Sequence, residues 1–316
     1  MTTFLARRLG LALVQLLLVC ILVFAMLHLI PGDPALVILG SEHTPAPEVL
    51  AAVRQKLGLN EPLGVQFASW LVHLARLDLG RSLMDNYPVA DEVRSRLPRT
   101  LELVVSAIVV ASLVGIPLGV GSALRRNSLA DKTASTAFSL GLAIPTYVIG
   151  TFLVLIVSVE LRALPGSGYT PISEGMMKHL AQLTLPTIAL AIGLAAIIGR
   201  MARSAILDVV GEDYIRTARA KGLPPRLVIY KHALRNALLP IITVIGVQFG
   251  TLIGGTVLVE NIFNWPGLST LLINATRERD YPMVQGAVLS AAVLVVCVQM
   301  VVDVLYALAN PKLRYS

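Results

Sequence analysis

Residues 103–124 read LVVSAIVVASLVGIPLGVGSAL and contain no Asp, Glu, Lys or Arg. A helix needs roughly 20 apolar residues to cross a hydrocarbon core about 30 Å thick. Because lipid offers the backbone no hydrogen-bond partners, a run of this length must satisfy its own N–H and C=O groups as a helix. The stretch therefore predicts a membrane-spanning helix.

Five further charge-free runs lie on both sides of this stretch. They are Leu9–Leu27, Thr133–Val159, Leu180–Gly199, Asn236–Val259 and Tyr281–Val302. Only 14% of the residues are charged, whereas soluble domains have about 25%. The sequence predicts an all-α membrane protein with about six transmembrane helices, forming one membrane domain over residues 1–316. We expect the first run to be retained as a span, because it exceeds the apolar core of a signal peptide.

Lys and Arg are distributed unequally between the loops. If the N-terminus is cytoplasmic, one cytoplasmic loop and its flanks contain eight Lys and Arg residues between Arg200 and Arg235, whereas the two short outside loops contain four. The positive-inside rule then predicts that both termini are cytoplasmic, with an external loop at 31–98 and a cytoplasmic loop at 204–238. Topology and attraction to anionic membrane lipid explain the net charge of +7, which is no evidence for nucleic-acid binding.

The external loop predicts two short amphipathic helices. Residues 44–58 (TPAPEVLAAVRQKLG) begin with capping and proline residues and end at glycine. A second helix begins near Pro62 and has an apolar stripe of Leu63, Phe67, Trp70, Leu71 and Leu74. Such helices suit a position on the bilayer or over the transmembrane helices. A small folded loop without a special role is the alternative.

Catalytic and cofactor motifs are absent from the sequence. No glycine is followed by lysine, so the phosphate-binding GxxxxGK[ST] loop is missing. Neither HExxH nor GxSxG occurs. The charge-free runs lack the intramembrane carboxylates that proton-coupled transporters use. We therefore expect no enzyme activity, catalytic residue, cofactor or metal site on this chain, which moves or anchors something with energy from elsewhere.

Residues 213–240, DYIRTARAKGLPPRLVIYKHALRNALLP, interrupt the apolar chain with a basic segment. Asp213 lies at the favourable end of a helix that Gly222 ends, and Pro224 and Pro225 begin a second helix. Small side chains of the first helix would let a partner's backbone approach: Thr217, Ala218 and Ala220. Apolar residues of the second helix would supply contact: Leu227, Ile229, Tyr230, Ala233 and Leu234. We expect a helical elbow that docks a partner; the alternative is that its Lys and Arg residues only follow the positive-inside rule.

The elbow resembles the cytoplasmic coupling loop, or EAA loop, of binding-protein-dependent ABC importer permeases. Gly222 stands at the family's glycine, and Arg216-Thr217-Ala218 stands at the Glu-Ala-Ala positions, where only the second alanine is kept. Arg235 replaces a proline of the family pattern, as in the dipeptide/oligopeptide/nickel subfamily. Other segments resemble the B-type permease of that subfamily: PGDP at 31–34, LDLGRS at 77–82, LPRTLEL at 97–103, VENIFNWPG at 259–267 and NPK at 310–312.

The resemblance implies a type I ABC importer permease domain in the bacterial inner membrane. It implies four partners: a second homologous permease, two ATPase subunits that bind ATP and Mg, and an external solute-binding protein. It also implies that the ATPases contact Asp213, Tyr214, Arg216, Thr217, Ala218, Ala220, Lys221, Gly222 and Arg226. Dipeptides or oligopeptides are the expected substrates, with glutathione or a nickel chelate as alternatives.

Polar residues within the charge-free runs are the candidates for a substrate pathway: Thr146, Tyr147, Gln248, Thr251 and Gln299. Each is equally suited to bridging helices by hydrogen bonds. Glu260, Asn261 and Trp265 are candidates for an external gate or a contact with the binding protein, and a plain turn at Pro266 and Gly267 is the alternative. Two rival interpretations of the whole chain remain, a self-sufficient secondary transporter and a membrane anchor.

Overall fold

The computed structural model describes residues 2–29, 35–36, 47–56, 59–224 and 227–309. Most of these residues are helical, and the described part has no strand beyond an isolated bridge between Arg81 and Pro88. The α-helices are α1 (Thr2–Leu29), α2 (Pro47–Lys56), α3 (Leu63–Ala75), α4 (Val89–Leu124), α5 (Leu129–Ala143), α6 (Thr146–Leu153), α7 (Met176–Val210), α8 (Asp213–Ala220), α9 (Leu234–Ile262), α10 (Leu268–Glu278) and α11 (Tyr281–Ala309). Two π-helical segments, Val154–Glu160 and Val228–Ala233, continue α6 and precede α9. The predicted all-α fold class is confirmed.

Five helices in the described residues are long and apolar enough to cross a membrane. They are Ala6–Ala25, Val89–Leu124, Met176–Val210, Val228–Ile262 and Tyr281–Val304. The bent pair of α5 and α6 raises the number to six if it counts as one span. The predicted number of about six spans is therefore confirmed, although α4 begins inside the predicted external loop.

The third predicted span, Thr133–Val159, consists of two helices that meet at 95°. α5 ends at Ala143, and Ile144 is extended (φ −87°, ψ 121°). The cause is Pro145, because a proline ring disfavours helical backbone in the residue before it. α6 begins directly after Pro145, where the missing N–H group has no intrahelical partner to lose. The third predicted span is thus a broken span or a re-entrant loop.

The chain divides into two compact units. Unit 1 comprises Thr100–Trp265 and Cys297–Ser316, and unit 2 comprises Thr2–Arg99 and Pro266–Val296. α4 and α11 contribute residues to both units.

In unit 1, α7 is the central helix. Its side chains belong to three apolar clusters, through Leu185, Ile198 and Ile206. α4 packs closely on it at Gly119. A Cβ atom added to this glycine would lie only 2.3 Å from the carbonyl oxygen of Gly199, so a larger residue would not fit. Small residues permit such a close approach of two helix backbones. α7 therefore provides the rigid frame on which the candidate site is built.

In unit 2, the two helices predicted for the external loop are present as α2 and α3. Phe67 of α3 packs edge-on against Phe24 of α1 with ring centroids 5.2 Å apart, and Trp70 lies 5.8 Å from the same ring. Four of the five residues of the predicted apolar stripe are at least half-buried. Leu63 is 57% exposed, so it does not belong to the buried side of α3.

Candidate functional site

α8, the first limb of the elbow, ends in a Schellman motif at Gly222. The Leu223 N–H donates to the Ala218 carbonyl (3.4 Å), and the Gly222 N–H donates to the Arg219 carbonyl (2.9 Å). Gly222 has φ +77°, a backbone conformation that costs other L residues about 1–2 kcal/mol. Among the described residues no atom lies within 4 Å of the position of its Cβ. Backbone conformation, and not crowding within the chain, therefore requires glycine here.

α8 has one buried side and one exposed side. Ile215 and Ala218 are buried, and since they are three residues apart they lie on the same side of the helix. The exposed residues of α8 and its C-terminus, which we call the elbow face, are Asp213, Tyr214, Arg216, Thr217, Arg219, Ala220, Lys221 and Gly222. The elbow face is cationic. Ala218 packs inside its own chain, so the expectation that it leaves room for a partner's backbone is corrected.

The described part of the second limb departs from the predicted pattern because it contains a π-helix, Val228–Ala233. In a π-helix the hydrogen bonds join residues five apart. Val228 and Ala233, also five apart, are accordingly the fully buried pair. Tyr230 is 64% exposed and Leu227 is also exposed, so both are available for the predicted apolar contact with a partner, which stays a prediction; Val228, which the prediction did not name, is buried. Ile229, Ala233 and Leu234 do pack against the core, and Arg226 lies outside the described residues.

The buried side of the elbow rests on a cluster to which three membrane helices contribute. This cluster, which we call the apolar seat, consists of Val120, Ala123, Ala205, Ile206, Ile215, Ala218, Val228, Ala233 and Ala237. A hydrogen bond of 2.7 Å from Asn236 Nδ2 to the Tyr214 hydroxyl joins α8 to the first turn of α9. The buried side of the elbow is therefore packed against side chains of α4, α7 and the segment leading into α9.

The five candidate pathway residues differ in exposure. Thr146 and Gln248 are half-buried, whereas Tyr147, Thr251 and Gln299 are exposed. Thr251 Oγ1 donates to the carbonyl of Val247 in its own helix (3.3 Å). No hydrogen bond joins any two of the five within the described part of the chain. Their role in a substrate pathway stays a prediction.

The three candidate gate residues differ in exposure. Glu260 and Trp265 are fully buried, and Thr100 Oγ1 donates to Glu260 Oε1 (2.7 Å). Asn261 is exposed and donates to the Val257 carbonyl (2.9 Å). A contact between an external protein and Glu260 or Trp265 does not fit their burial, so this part of the prediction is corrected. A gating role stays a prediction.

A buried histidine beside Trp265 was not predicted from the sequence. His179 is 1% exposed; its Nδ1 lies 2.7 Å from the Thr170 carbonyl oxygen, and its Nε2 lies 2.5 Å from Glu102 Oε1. Because a carbonyl oxygen only accepts, Nδ1 has a hydrogen and donates it. The signal in the sequence was the position of Glu102, directly before the charge-free run 103–124. That position placed a carboxyl group at the end of a span, but nothing in the sequence named its partner.

Known proteins are similar to this chain in sequence and in fold. Residues 115–315 match the family described as "Binding-protein-dependent transport system inner membrane component", and residues 1–104 match the family of the corresponding N-terminal membrane component. The glutathione transport system permease protein GsiC of Salmonella typhi is 41% identical over 312 residues, which cover 99% of this chain and 98% of the relative. The dipeptide transport system permease protein DppB of Escherichia coli (strain K12) is 41% identical over 339 residues and the whole of both chains.

A solved structure of the MetNI methionine ABC transporter, in an inward-facing conformation, is similar with a TM-score of 0.57. The identity is 19%, and the match covers 69% of this chain and 96% of the other. This similarity concerns the fold alone. Fold and elbow together are those of a multi-pass membrane component of a transport system. The chain belongs to the family of binding-protein-dependent transport system inner membrane components.

Proposed function

We propose that this chain is the permease subunit of an importer for short peptides and that separate ATPase subunits drive it through the elbow face. The observation that carries the proposal is the position of α8 on the apolar seat, where side chains of α4, α7 and α9 meet. A displacement of α8 by a partner is therefore transmitted to three membrane helices together, as alternating access requires.

The ATPases contact the elbow face and also Arg226, which lies outside the described residues, and they bind the ATP and Mg. Ala218 supports this contact from beneath, since it anchors α8 on the apolar seat. Gly222 ends α8 without a side chain, which leaves the end of the helix free for a close approach.

Short peptides are the proposed substrates because the relatives named for dipeptide and glutathione transport match over almost the entire chain. Glutathione is itself a short peptide. The polar residues Thr146 and Tyr147 begin α6 directly after the break at Pro145, where the chain changes direction inside the span. Together with Gln248, Thr251 and Gln299 they are the candidates to line the pathway, and Asn261 is the exposed candidate of the gate.

The remaining partners are a second homologous permease and an external solute-binding protein. In this arrangement both termini and loop 204–238 are cytoplasmic, loop 31–98 is external, and residues 1–316 act as one membrane domain. The exposed Arg and Lys residues of the elbow face support this orientation, because short cytoplasmic loops are enriched in these residues.

The proposal is tested with the complete transporter in liposomes, by ATP-driven uptake of a labelled dipeptide and of glutathione. Gly222→Trp forces an indole into a backbone with φ +77°, and we expect uptake to fall about tenfold or more, as the strain of roughly 1–2 kcal/mol implies. Gly64→Trp is the matched control, because Gly64 is also exposed with no atom within 4 Å of its Cβ position, yet lies in α3.

Three outcomes would overturn the proposal. The first is full uptake by the Gly222→Trp transporter. The second is a crosslinking map in which residues 213–235 contact no ATPase. The third is uphill uptake by this chain alone under an ion gradient, which would make it a secondary transporter.

A further inference from the structure

Asp131 is a buried carboxylate at the start of α5 for which the coupling scheme above has no role. It is 4% exposed, and its own N–H donates to Ser128 Oγ, which caps the helix (3.3 Å). Its carboxylate accepts four hydrogen bonds, from Ser122 Oγ (2.5 Å), Asn127 N (2.9 Å), Arg203 Nε (2.7 Å) and Arg203 Nη2 (2.9 Å). A carboxylate this deeply buried is stable only while such partners surround it.

The donors to Asp131 come from three segments. Ser122 lies near the end of α4, Asn127 lies in the turn before α5, and Arg203 lies on α7. Arg203 binds through two parallel N–H groups, so the pair fixes the orientation of the two helices as well as their distance. Elsewhere α5 packs on α7 through apolar contacts such as Phe138 against Gly199, which resist sliding less. Asp131 therefore fixes the register of α5 on α7 and α4.

The same segments of α4 and α7 build the apolar seat of the elbow. Val120 and Ala123 lie on either side of Ser122 in the sequence, and Ala205 and Ile206 lie two and three residues after Arg203 on α7. No described residue of α5 belongs to the seat. The Asp131 carboxylate is thus the polar link between α5 and the part of unit 1 on which the elbow rests. At its other end α5 leads into the break at Pro145 and on to Thr146 and Tyr147.

We propose that Asp131 is a positioning residue for coupling: together with Arg203 and Ser122 it locks the first turn of α5 to α4 and α7, so that elbow movement also moves the bent α5–α6 pair. The inference rests on the proposed function. In this inference the hydrogen bonds of Asp131 to Arg203 and Ser122, and not the elbow face itself, move the candidate pathway residues on α6.

The test measures peptide uptake and ATP hydrolysis in the same liposomes that contain the complete transporter. Asp131→Asn keeps the shape but loses the charge-assisted bonds, and we expect the peptide transported per ATP hydrolysed to fall about tenfold. Arg203→Lys keeps the charge but loses the bidentate hydrogen bonding, and we expect an intermediate ratio of peptide transported to ATP hydrolysed. The controls are Asp208→Asn and Arg200→Gln, since both residues are exposed on α7 and should leave the ratio unchanged.

A second experiment measures the distance between α5 and α7 directly, with spin labels at the exposed positions Thr133 of α5 and Asp208 of α7. In the wild-type transporter we expect one narrow distance distribution in both the resting and the nucleotide-trapped state, and in Asp131→Asn a broad distribution after trapping. Ser122→Ala, which removes one neutral donor, gives a milder version of both effects if Asp131→Asn does not assemble.

A purely structural role would reduce uptake and hydrolysis in proportion to the amount of folded transporter and leave their ratio unchanged. That result, or an unchanged distance distribution, overturns the inference. If Gly222→Trp still blocks uptake in this case, the proposed function stands and only the role of Asp131 falls. Full uptake by both variants would overturn the proposed function as well.

Discussion

α7 has a polar region near each end, and the two regions are built in opposite ways. Near its start, His179 is 1% exposed and its ring lies 6.0 Å from that of Trp265. Near its end the elbow face presents its charges to solvent, with the Arg216 side chain 75% exposed. From His179 to the end of α7 at Val210 the helix rises by about 45 Å, at 1.5 Å per residue. Buried polar groups are costly to leave unpaired, whereas exposed ion pairs contribute little to stability. We therefore expect the first region to determine stability and the second to determine contact with partners.

The largest effect on stability is expected for Trp265→Ala. Trp265 is fully buried, and its ring packs edge-on against Tyr169 with centroids 4.8 Å apart. Removal of the indole leaves a cavity, so the free energy of unfolding should fall by about 3–5 kcal/mol. Denaturant unfolding of the purified transporter in detergent measures this loss. Trp70→Ala is the control, because Trp70 is only half-buried and should lose less. Equal losses in both variants would contradict the assignment of Trp265 to the core.

A smaller loss is expected for His179→Phe, which keeps an aromatic ring against Trp265 but removes both hydrogen bonds of the imidazole. The Thr170 carbonyl and the Glu102 carboxyl each lose a partner. An unsatisfied buried carbonyl such as that of Thr170 costs about 1–3 kcal/mol, whereas the Glu102 side chain is 27% exposed and loses less. His73→Phe is the matched control, since His73 is exposed and its side chain donates a hydrogen bond from Nδ1 to the Ser69 carbonyl of its own helix. If both variants unfold at the wild-type denaturant concentration, the buried imidazole has no role in stability.

The contrast between the regions also shows what the sequence could predict. The spans were predictable because the absence of charge over about 20 residues is a local property with one physical outcome in lipid. The end of α8 at Gly222 was predictable for the same reason, since the positive φ of a Schellman motif favours glycine. Both inferences need only neighbouring residues.

The rest depends on residues that are distant in the sequence or on a shift in helical period. Glu102 and His179 are 77 positions apart, and Asp131 and Arg203 are 72 apart, so neither pair has a local signature. The π-helical segment of the second limb determines which side chains face the core, so that Val228 and Ala233 are buried together while Tyr230 is exposed. The break at Pro145 follows from proline, but its angle of 95° has no signal in the sequence.

The smallest effect on stability is expected for the double variant Arg216→Gln and Arg219→Gln on the elbow face. The one ion pair that Arg216 makes within the described residues, to Asp213 at 3.3 Å, is almost fully exposed, so the free energy of unfolding should stay within about 0.5 kcal/mol of wild type.

Binding of the ATPase subunits to the permease should nevertheless weaken in this variant, because opposite charges across an interface steer association and their effect is screened by salt. The measurement is ATPase binding to permease in nanodiscs at low and high ionic strength, with a smaller difference from wild type at high salt. Arg125→Gln and Arg126→Gln remove two exposed charges from the turn before α5 and serve as the control. If that control weakens binding equally, overall charge and not the elbow face attracts the ATPases. If the elbow variant instead destabilises the fold, the division of tasks between the two ends of α7 is wrong.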